Sequence, residues 1–410
     1  MFYKKKIWVV TVGEPLPIKS GQRLLRGGIL SEMLTARGHD VTWWASTVDH
    51  YQKELYYHGD VVINLNDNFR LNFLHGGFYK KNISLRRIIN HIRIASKFKI
   101  KSASLDRPDI IVVSYPTIEL SLAAVNYGKQ HKIPVIVDFR DLWPDIFYEA
   151  LPKKLRWLIS PLIHYYNRIL KKIVDGADSI VGITEDFRSW ALSKGSKTHK
   201  ESKVFYSSYE SRNNQNEENS KALIDKIFRI CFFGTFSNRL DLETVYQAAD
   251  LLKDDNVEFV LCGQIDAALQ AKIRGNLMPS NIKFPGYIGI EEIRKIKSQS
   301  HMGLLPYDAS DFKMSMPNKV GEYLSGGLPI LYCLEGATDK FLQKNKCGLY
   351  YESRNPSSLV NQIKQAKNAP ENLNKMNVDA LISYNNYLNS DIVYGDYCDY
   401  IEHLAELKKN

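Results

Sequence analysis

The chain has 410 residues, more than one ordinary hydrophobic core accommodates, and predicts two domains of about 150–200 residues each. Hydrophobic residues make up 44% and charged residues 24%, proportions ordinary for a soluble globular protein, so disorder is not the default for any long stretch. A net charge of +10 points to an anionic partner or surface.

In chain order, Ile7–Val12 predicts a first strand, ended by Gly13. A helical pattern from about Arg23 to Arg37 stops at Gly38, and Val41–Ala45 follows as a strand. From Phe78 to Leu105 the chain carries eight basic and no acidic residues, interleaved with apolar ones at near-helical spacing. This predicts a basic amphipathic helix, suited either to an anionic membrane or to a core with a solvated basic face. Strands at Ile110–Ser114, Pro134–Phe139 and Ser179–Ile183 follow, with a helix from about Glu119 to His131 between the first two. Residues 209–226 are polar and read as a linker between domains 1–208 and 227–385. The second domain restarts the pattern, with strands at Phe228–Phe233, Val257–Cys262, Ile282–Phe284, Met302–Leu305, Pro329–Tyr332 and Gly348–Tyr351. A helix covers about Leu242 to Leu252, and a C-terminal helical segment, 386–410, is expected to return to the first domain. Strands alternating with helices predict α/β architecture, each domain a doubly wound parallel sheet.

The five cysteines all lie in the second half without a CxxC pair, which disfavours a disulfide framework or zinc site and suits a reducing compartment. The N-terminal apolar run is too short for a signal peptide. No apolar run approaches the roughly 18 residues that span a bilayer. A cytoplasmic protein is expected.

In open parallel sheets ligands bind beyond the carboxyl ends of the strands, so two sheets direct attention to a cleft between them. The first loop, Gly13 to Gly21, opens a helix with Arg23, Arg26, Gly27 and Gly28, and a helix N-terminus of this kind suits phosphate. There is no GxGxxG and no GxxxxGK[ST], which disfavours a nicotinamide dehydrogenase or a P-loop NTPase. Tyr115 closes the strand before Pro116, and Arg140 and Asp141 close the next, followed by Leu142-Trp143-Pro144. Asp141 is either a helix cap or a residue facing the cleft. The stretch from Ser315 to Ile330 reads as a turn, a short helix, a glycine stop and a strand. Two readings fit it: a helix start near Asn318 that offers N–H groups to a diphosphate with Glu322 accepting hydrogen bonds from a ribose diol, or an amphipathic helix with a solvated Glu322.

Taken together, these segments resemble the GT-B glycosyltransferases of family GT4, of the bacterial surface-glycan type. The Gly loop, Arg140-Asp141-Leu142-Trp143-Pro144 and the run Pro317 to Ile330 carry the likeness, which spans about residues 5 to 370. It implies a GT-B fold and a retaining transferase that moves a sugar from a nucleotide-diphosphate donor to a glycan or polyprenyl-linked acceptor. It places Glu322 on the nucleotide ribose and Met316, Pro317, Asn318 and Lys319 beside the donor. Gly234, Gly263, Tyr287 and Ile288 fall in the family's donor region. The family's first glutamate falls on Met314, with Asp308 or Asp311 as substitutes. Its phosphate-binding arginine falls on Thr235 and its lysine on Arg239, so charge neutralisation rests on Arg239, helped by Lys319 or Arg23. A guanidinium binds phosphate in bidentate fashion.

The resemblance implies no metal, and there is no Asp-x-Asp motif. It implies no cofactor, the nucleotide sugar being a substrate, with a UDP-sugar expected before a GDP-sugar. Front-face attack demands no enzymic nucleophile. Arg239, Glu322, Asp141 and Arg140 are the catalytic candidates; Arg23, Arg26, Asp49, His50 and Tyr115 stand on the acceptor side. The 78–105 helix would then bring the first domain to the inner face of the cytoplasmic membrane. Two readings stand beside this one: a nucleotide-sugar 2-epimerase of the same fold, and a catalytically degenerate partner subunit. No nucleic-acid-binding motif is recognisable.

Overall fold

The computed structural model describes residues 4–18, 24–82, 84–149, 151–196, 201–208, 227–237, 239–264, 278–309 and 313–407. The chain divides into two compact units, 1–206 with 393–410, and 207–392. The sequence-predicted linker, Gly21, Arg23 and Asp311 lie outside the described residues.

The first unit is built on strands β1 (Lys6–Val10), β2 (Asp40–Ser46), β3 (Val48–Asp49), β4 (Glu54–Leu55), β5 (Val61–Asn66), β6 (Phe69–Leu74), β7 (Ile110–Tyr115), β8 (Val135–Phe139), β9 (Ser179–Gly182) and β10 (Glu201–Val204). Its helices are α1 (Arg26–Ala36), α2 (Leu85–Ser102), α3 (Ile118–His131), α4 (Asp145–Glu149), α5 (Arg156–Gly176) and α6 (Glu185–Ser193). The main sheet runs β10-β9-β8-β7-β1-β2-β6-β5. Every pairing in it is parallel except β5 with β6. The strand order reverses at β1 and β7, the topological switch point at which such sheets bind ligands.

Side-chain patterns explain the layers. β7 and β8 are almost wholly apolar and buried because helices cover both faces of a parallel sheet. β5 alternates half-buried and exposed residues, as an antiparallel edge strand with one wet face does. Ser84 caps α2 by accepting from the Arg87 amide at 3.3 Å, so the basic helix begins at Leu85 and ends at Ser102, shorter at both ends than the sequence pattern predicts. Its buried face carries Ile94, Ala95 and Phe98, and Lys97 and Lys101 pair with Asp60, so part of its basic charge is neutralised within the protein.

The second unit has strands β11 (Phe228–Phe233), β12 (Val257–Cys262), β13 (Ile282–Gly286), β14 (Met302–Leu305), β15 (Ile330–Tyr332) and β16 (Gly348–Tyr350). Its helices are α7 (Leu242–Leu251), α8 (Ile290–Ser298), α9 (Lys319–Ser325), α10 (Ala337–Lys344), α11 (Pro356–Asn368) and α12 (Pro370–Tyr387). The sheet runs β13-β12-β11-β14-β15-β16, parallel throughout, with the order reversing between β11 and β14.

The last helix, α13 (Ser390–Leu407), belongs from Val393 onward to the first unit. Tyr394, Tyr397, Ile401 and Leu404 enter the same core as Ile7, Leu30 and Trp43. A buried ion pair ties these parts together. The Arg26 guanidinium donates to Asp138 through Nε at 2.7 Å and a second nitrogen at 3.1 Å, and a third group reaches the Phe205 carbonyl at 2.8 Å. It lies 5.0 Å from the Tyr397 ring centroid. Burial opposes ionisation of both groups, and their mutual attraction overcomes it. Arg26 is held above and Asp138 below its ordinary range.

Arg26→Met is therefore expected to destabilise the first unit by about 3–5 kcal/mol, since it leaves a buried carboxylate without its bidentate partner. Denaturant unfolding would measure this. The depressed Asp138 carboxyl stabilises the fold above its unfolded-state pKa of about 4 and loses that contribution as pH falls. Asp138→Asn should flatten the acid limb of the stability profile.

Candidate active site

The second unit contains a pocket of about 240 Å³ at the carboxyl ends of β11 and β12. Phe233, Gly234, Thr235, Cys262, Gly263, Gln264, Tyr287, Ile288, Ile293, Lys319 and Glu322 line it. Two glycines make the floor possible. The Gly234 amide donates to the Cys262 carbonyl at 2.9 Å and the Gly263 amide to that of Gly286 at 2.8 Å. A Cβ on Gly263 would sit 1.7 Å from the Gly234 carbonyl oxygen, and one on Gly234 would meet the Lys319 ammonium at 2.5 Å. The backbone leaves no room for a side chain at Gly263, one at Gly234 would displace the Lys319 terminus, and both positions have positive φ.

Lys319 and Glu322 come from the first turn of α9. The helix is fixed by Tyr323, whose hydroxyl donates to the Leu304 carbonyl at 3.2 Å and accepts from the Phe233 amide at 3.3 Å. The Tyr323 ring lies flat against Gly303 of β14, where a Cβ would come within 2.5 Å of it. With Val320, Tyr323 and Leu324 buried inward, Lys319 and Glu322 face the pocket. The Lys319 ammonium stands 5.5 Å from the Phe232 ring centroid, beside Gly234. Tyr287 is 82% exposed at the rim, and Ile288 lies beside it.

The other sequence-predicted donor residues fall outside this lining. Pro317 is buried, while Met316 and Asn318 precede α9. Arg239 sits on an exposed turn whose carbonyl accepts from the Asp308 amide at 3.1 Å. The structure thus puts Lys319, rather than Arg239, among the pocket residues. Asp308 pairs with Arg354 at 2.6 Å, and Met314 is not among the pocket residues. Gln264 and Ile293 were invisible in the sequence because no local pattern sets them apart from ordinary loop and helix positions.

In the first unit, the predicted residues gather along the carboxyl edge of the sheet, but several are engaged in the fold. Arg26, read from the sequence as an acceptor-side residue, is buried in its pair with Asp138. Tyr115 is fully buried and donates to the Trp143 carbonyl at 2.6 Å, and burial pushes its hydroxyl well above the ordinary range. Asp49 is buried and accepts from the Tyr51 amide at 2.9 Å, the Gln52 amide at 3.0 Å and the Tyr56 hydroxyl at 2.8 Å, so it organises its own turn. The helix N-terminus expected to receive phosphate holds a carboxylate of the protein itself. Glu14 accepts from the Gly27 amide at 2.8 Å and pairs with Arg140. Arg140 also binds Asp138 at 3.0 Å.

His50 and Asp141 are half-buried beside these groups. His50 Nδ1 lies 2.9 Å from the Tyr79 hydroxyl. Burial, with the positive charges of Lys53 and Arg87, pushes His50 down to about 4, so it is neutral at pH 7. Burial holds Asp141 above the ordinary carboxylate range, and its carboxylate accepts from the Leu142 amide at 2.8 Å. Sequence reading missed Tyr79, Arg87 and His91, which join this edge from the segment after β6.

Comparison with known proteins agrees with this architecture. Residues 29–201 match the glycosyl transferase 4-like domain and residues 227–368 match the family described as glycosyl transferases group 1. No curated relative matches the sequence. Among solved structures, sucrose-phosphate synthase from Thermosynechococcus elongatus aligns with a TM-score of 0.68 at 15% identity, covering 98% of this chain and 99% of that one. Anabaena HepE in complex with UDP aligns at 0.61 and 11% identity, covering 97% and 100%. WaaG, a glycosyltransferase involved in lipopolysaccharide biosynthesis, aligns at 0.61 and 13%, covering 97% and 99%. With two transferase families matched over most of its length and the two-sheet architecture of these enzymes, the chain belongs to the GT4-type glycosyltransferases of the GT-B fold.

Proposed function

We propose that the protein is a retaining, metal-independent transferase. It moves a sugar from a UDP-sugar to a glycan or polyprenyl-linked acceptor, in the synthesis of a bacterial surface polysaccharide. The observation that carries the donor half is the pocket of the second unit, where an ammonium and a carboxylate stand on one helical turn beside two side-chain-free strand ends. A diphosphate can approach the backbone at Gly234 and Gly263, where no Cβ intervenes. Lys319 would then meet the charge that develops on the leaving phosphate, the electrostatic assistance this reaction most needs. Glu322 would accept hydrogen bonds from the ribose hydroxyls, and Tyr287 and Ile288 would border the base. The UDP held by Anabaena HepE supports a uridine donor. Retention follows the resemblance to family GT4, in which front-face attack asks for no enzymic nucleophile. On the acceptor side, His50 and Asp141 are proposed to orient the incoming hydroxyl.

A peripheral membrane position belongs to the same proposal. No described helix is long and apolar enough to cross a membrane. On α2, Leu85 is 78% and Ile100 73% exposed, and α5 with its approach exposes Leu155, Trp157, Leu158, Leu162 and Tyr165. Residues 151–174 carry six basic side chains and no acidic one. Apolar side chains flanked by cations suit an anionic lipid surface.

Three outcomes are expected. In calorimetry, UDP should bind more tightly than GDP, and Glu322→Gln should weaken UDP about 10–100-fold by removing charge-assisted hydrogen bonds; unchanged affinity would remove Glu322 from the ribose. Lys319→Ala should lower kcat by about 10²–10³, read as nucleotide diphosphate released with an acceptor extract; an epimerised nucleotide sugar in that assay would instead identify an epimerase. The protein should co-sediment with vesicles containing anionic lipid and much less with neutral ones, and Trp157→Ala should weaken the association. Equal binding to both vesicle types, or to neither, would sink the membrane proposal.

A further inference from the structure

The carboxyl edge of the first unit holds positive charge that the fold does not neutralise. Lys53, on the turn after β3, donates its ammonium to the Asn82 side-chain oxygen at 2.5 Å. Arg87, in the first turn of α2, donates to the Asn82 carbonyl at 2.8 Å. One neutral residue therefore braces two cations. Between them lies Tyr79, with the Lys53 ammonium 5.5 Å and the Arg87 guanidinium 5.9 Å from its ring centroid. The other flank of Arg87 is Trp143, at 5.0 Å. Aromatic walls hold the guanidinium in place, and of its hydrogen-bonding groups one nitrogen is engaged by the Asn82 carbonyl. Its Nε is buried and has no hydrogen-bond partner.

Among the described residues, no carboxylate forms an ion pair with Lys53 or Arg87. Other cations of the unit do find one: Arg70 pairs with Asp40, and Lys97 and Lys101 with Asp60. The two nearest carboxylates attract the cluster from beyond ion-pair distance, Asp49 acting on Lys53 and Asp141 on Arg87, while their hydrogen bonds go to the turn after Asp49 and to the Leu142 amide. The cations consequently repel one another. Lys53 and Arg87 are both held below their ordinary ranges, by burial first, and both push His50 down. Two like charges that repel one another are costly unless something of opposite charge completes them.

We propose that Lys53 and Arg87, braced on Asn82 on either side of Tyr79, form an oxyanion subsite that takes a phosphate ester of the acceptor. Arg87 offers a planar fork for two oxygens and Lys53 a point charge for the third. The His50–Tyr79 pair lies at the edge of this subsite. That the ester belongs to the acceptor rests on the proposed transferase reaction; capture of the oxyanion does not.

The test is calorimetry of the full chain saturated with UDP, which occupies the pocket of the second unit. Geranyl phosphate, inorganic phosphate and geraniol are titrated in turn. Both phosphates should bind and geraniol should not. Arg87→Gln should weaken geranyl phosphate by about 10–100-fold, the effect of removing a charge-assisted pair of hydrogen bonds, with Arg87→Lys retaining part of the affinity. Lys53→Gln, on a surface turn, should weaken it in the same direction and keeps the test open should an Arg87 variant fail to fold. UDP affinity should stay within about twofold in every variant, since none of the substituted residues belongs to the unit that contains the pocket. Geraniol binding as tightly as its phosphate, or wild-type affinity in both Arg87→Gln and Lys53→Gln, would overturn the subsite. Binding of inorganic phosphate without geranyl phosphate would overturn the acceptor ester as its occupant. Failure of the wild type to bind UDP would count against the transferase reading alone.

Discussion

The first unit depends on one buried ion pair. Arg26 and Asp138 lie 112 positions apart and meet beneath the switch point of the sheet with almost no solvent access. Neither charge is tolerable there alone, so each fixes the other, and their remaining hydrogen-bonding capacity fixes everything around them. Arg26 binds the carbonyl at Phe205, at the end of the strand sequence. Asp138 binds Arg140, which binds Glu14, which in turn caps the start of α1 at Gly27. A chain of alternating charges therefore sets the loop after β1, the loop after β8 and the N-terminus of α1 together. The residues along the carboxyl edge of the sheet inherit their positions from it.

The second unit also buries charges, Glu258 and Lys297 among them, but these do not line its pocket. Its pocket is set by close approach of backbone to backbone and of ring to backbone. Gly263 against Gly234, and Tyr323 against Gly303, are contacts that any Cβ would prevent. These contacts settle the height and rotation of α9, so the faces of Lys319 and Glu322 follow from packing elsewhere on the helix. Neutral packing thus holds the polar groups of one unit, and a charge network those of the other. The site groups in the second unit should accordingly be far less sensitive to pH through their scaffold.

Much of the architecture was legible in the sequence, for a physical reason. Strands buried on both faces are largely apolar, so β7, β8, β11, β12 and β14 announce themselves as short hydrophobic runs even with Asp138, Arg229 and Glu258 among them. The hairpin of β5 and β6 went unnoticed because an edge strand mixes Asn with Val, Ile and Leu. Helix α5 also escaped, since it leaves Trp157, Leu158 and Leu162 in solvent and carries Pro161 inside it. At the site, the segment around Glu322 was readable because its glycines, proline and helix start lie within one local stretch. Arg26 was misread as a ligand residue because nothing near it in the chain reveals Asp138. Lys53 and Arg87 are 34 positions apart, and only the fold brings them to one asparagine.

The way α13 joins the first unit has a consequence for biosynthesis. Tyr394 and Tyr397 complete the cage around Arg26, yet the ribosome delivers them only after the whole second unit. During translation the nascent first unit must hold its charged centre without those rings and with the core positions of Ile401 and Leu404 unfilled. The second unit, continuous in the chain, can finish folding before the first one does. Vectorial synthesis therefore inverts the usual order for this molecule, and the N-terminal half is the last to close.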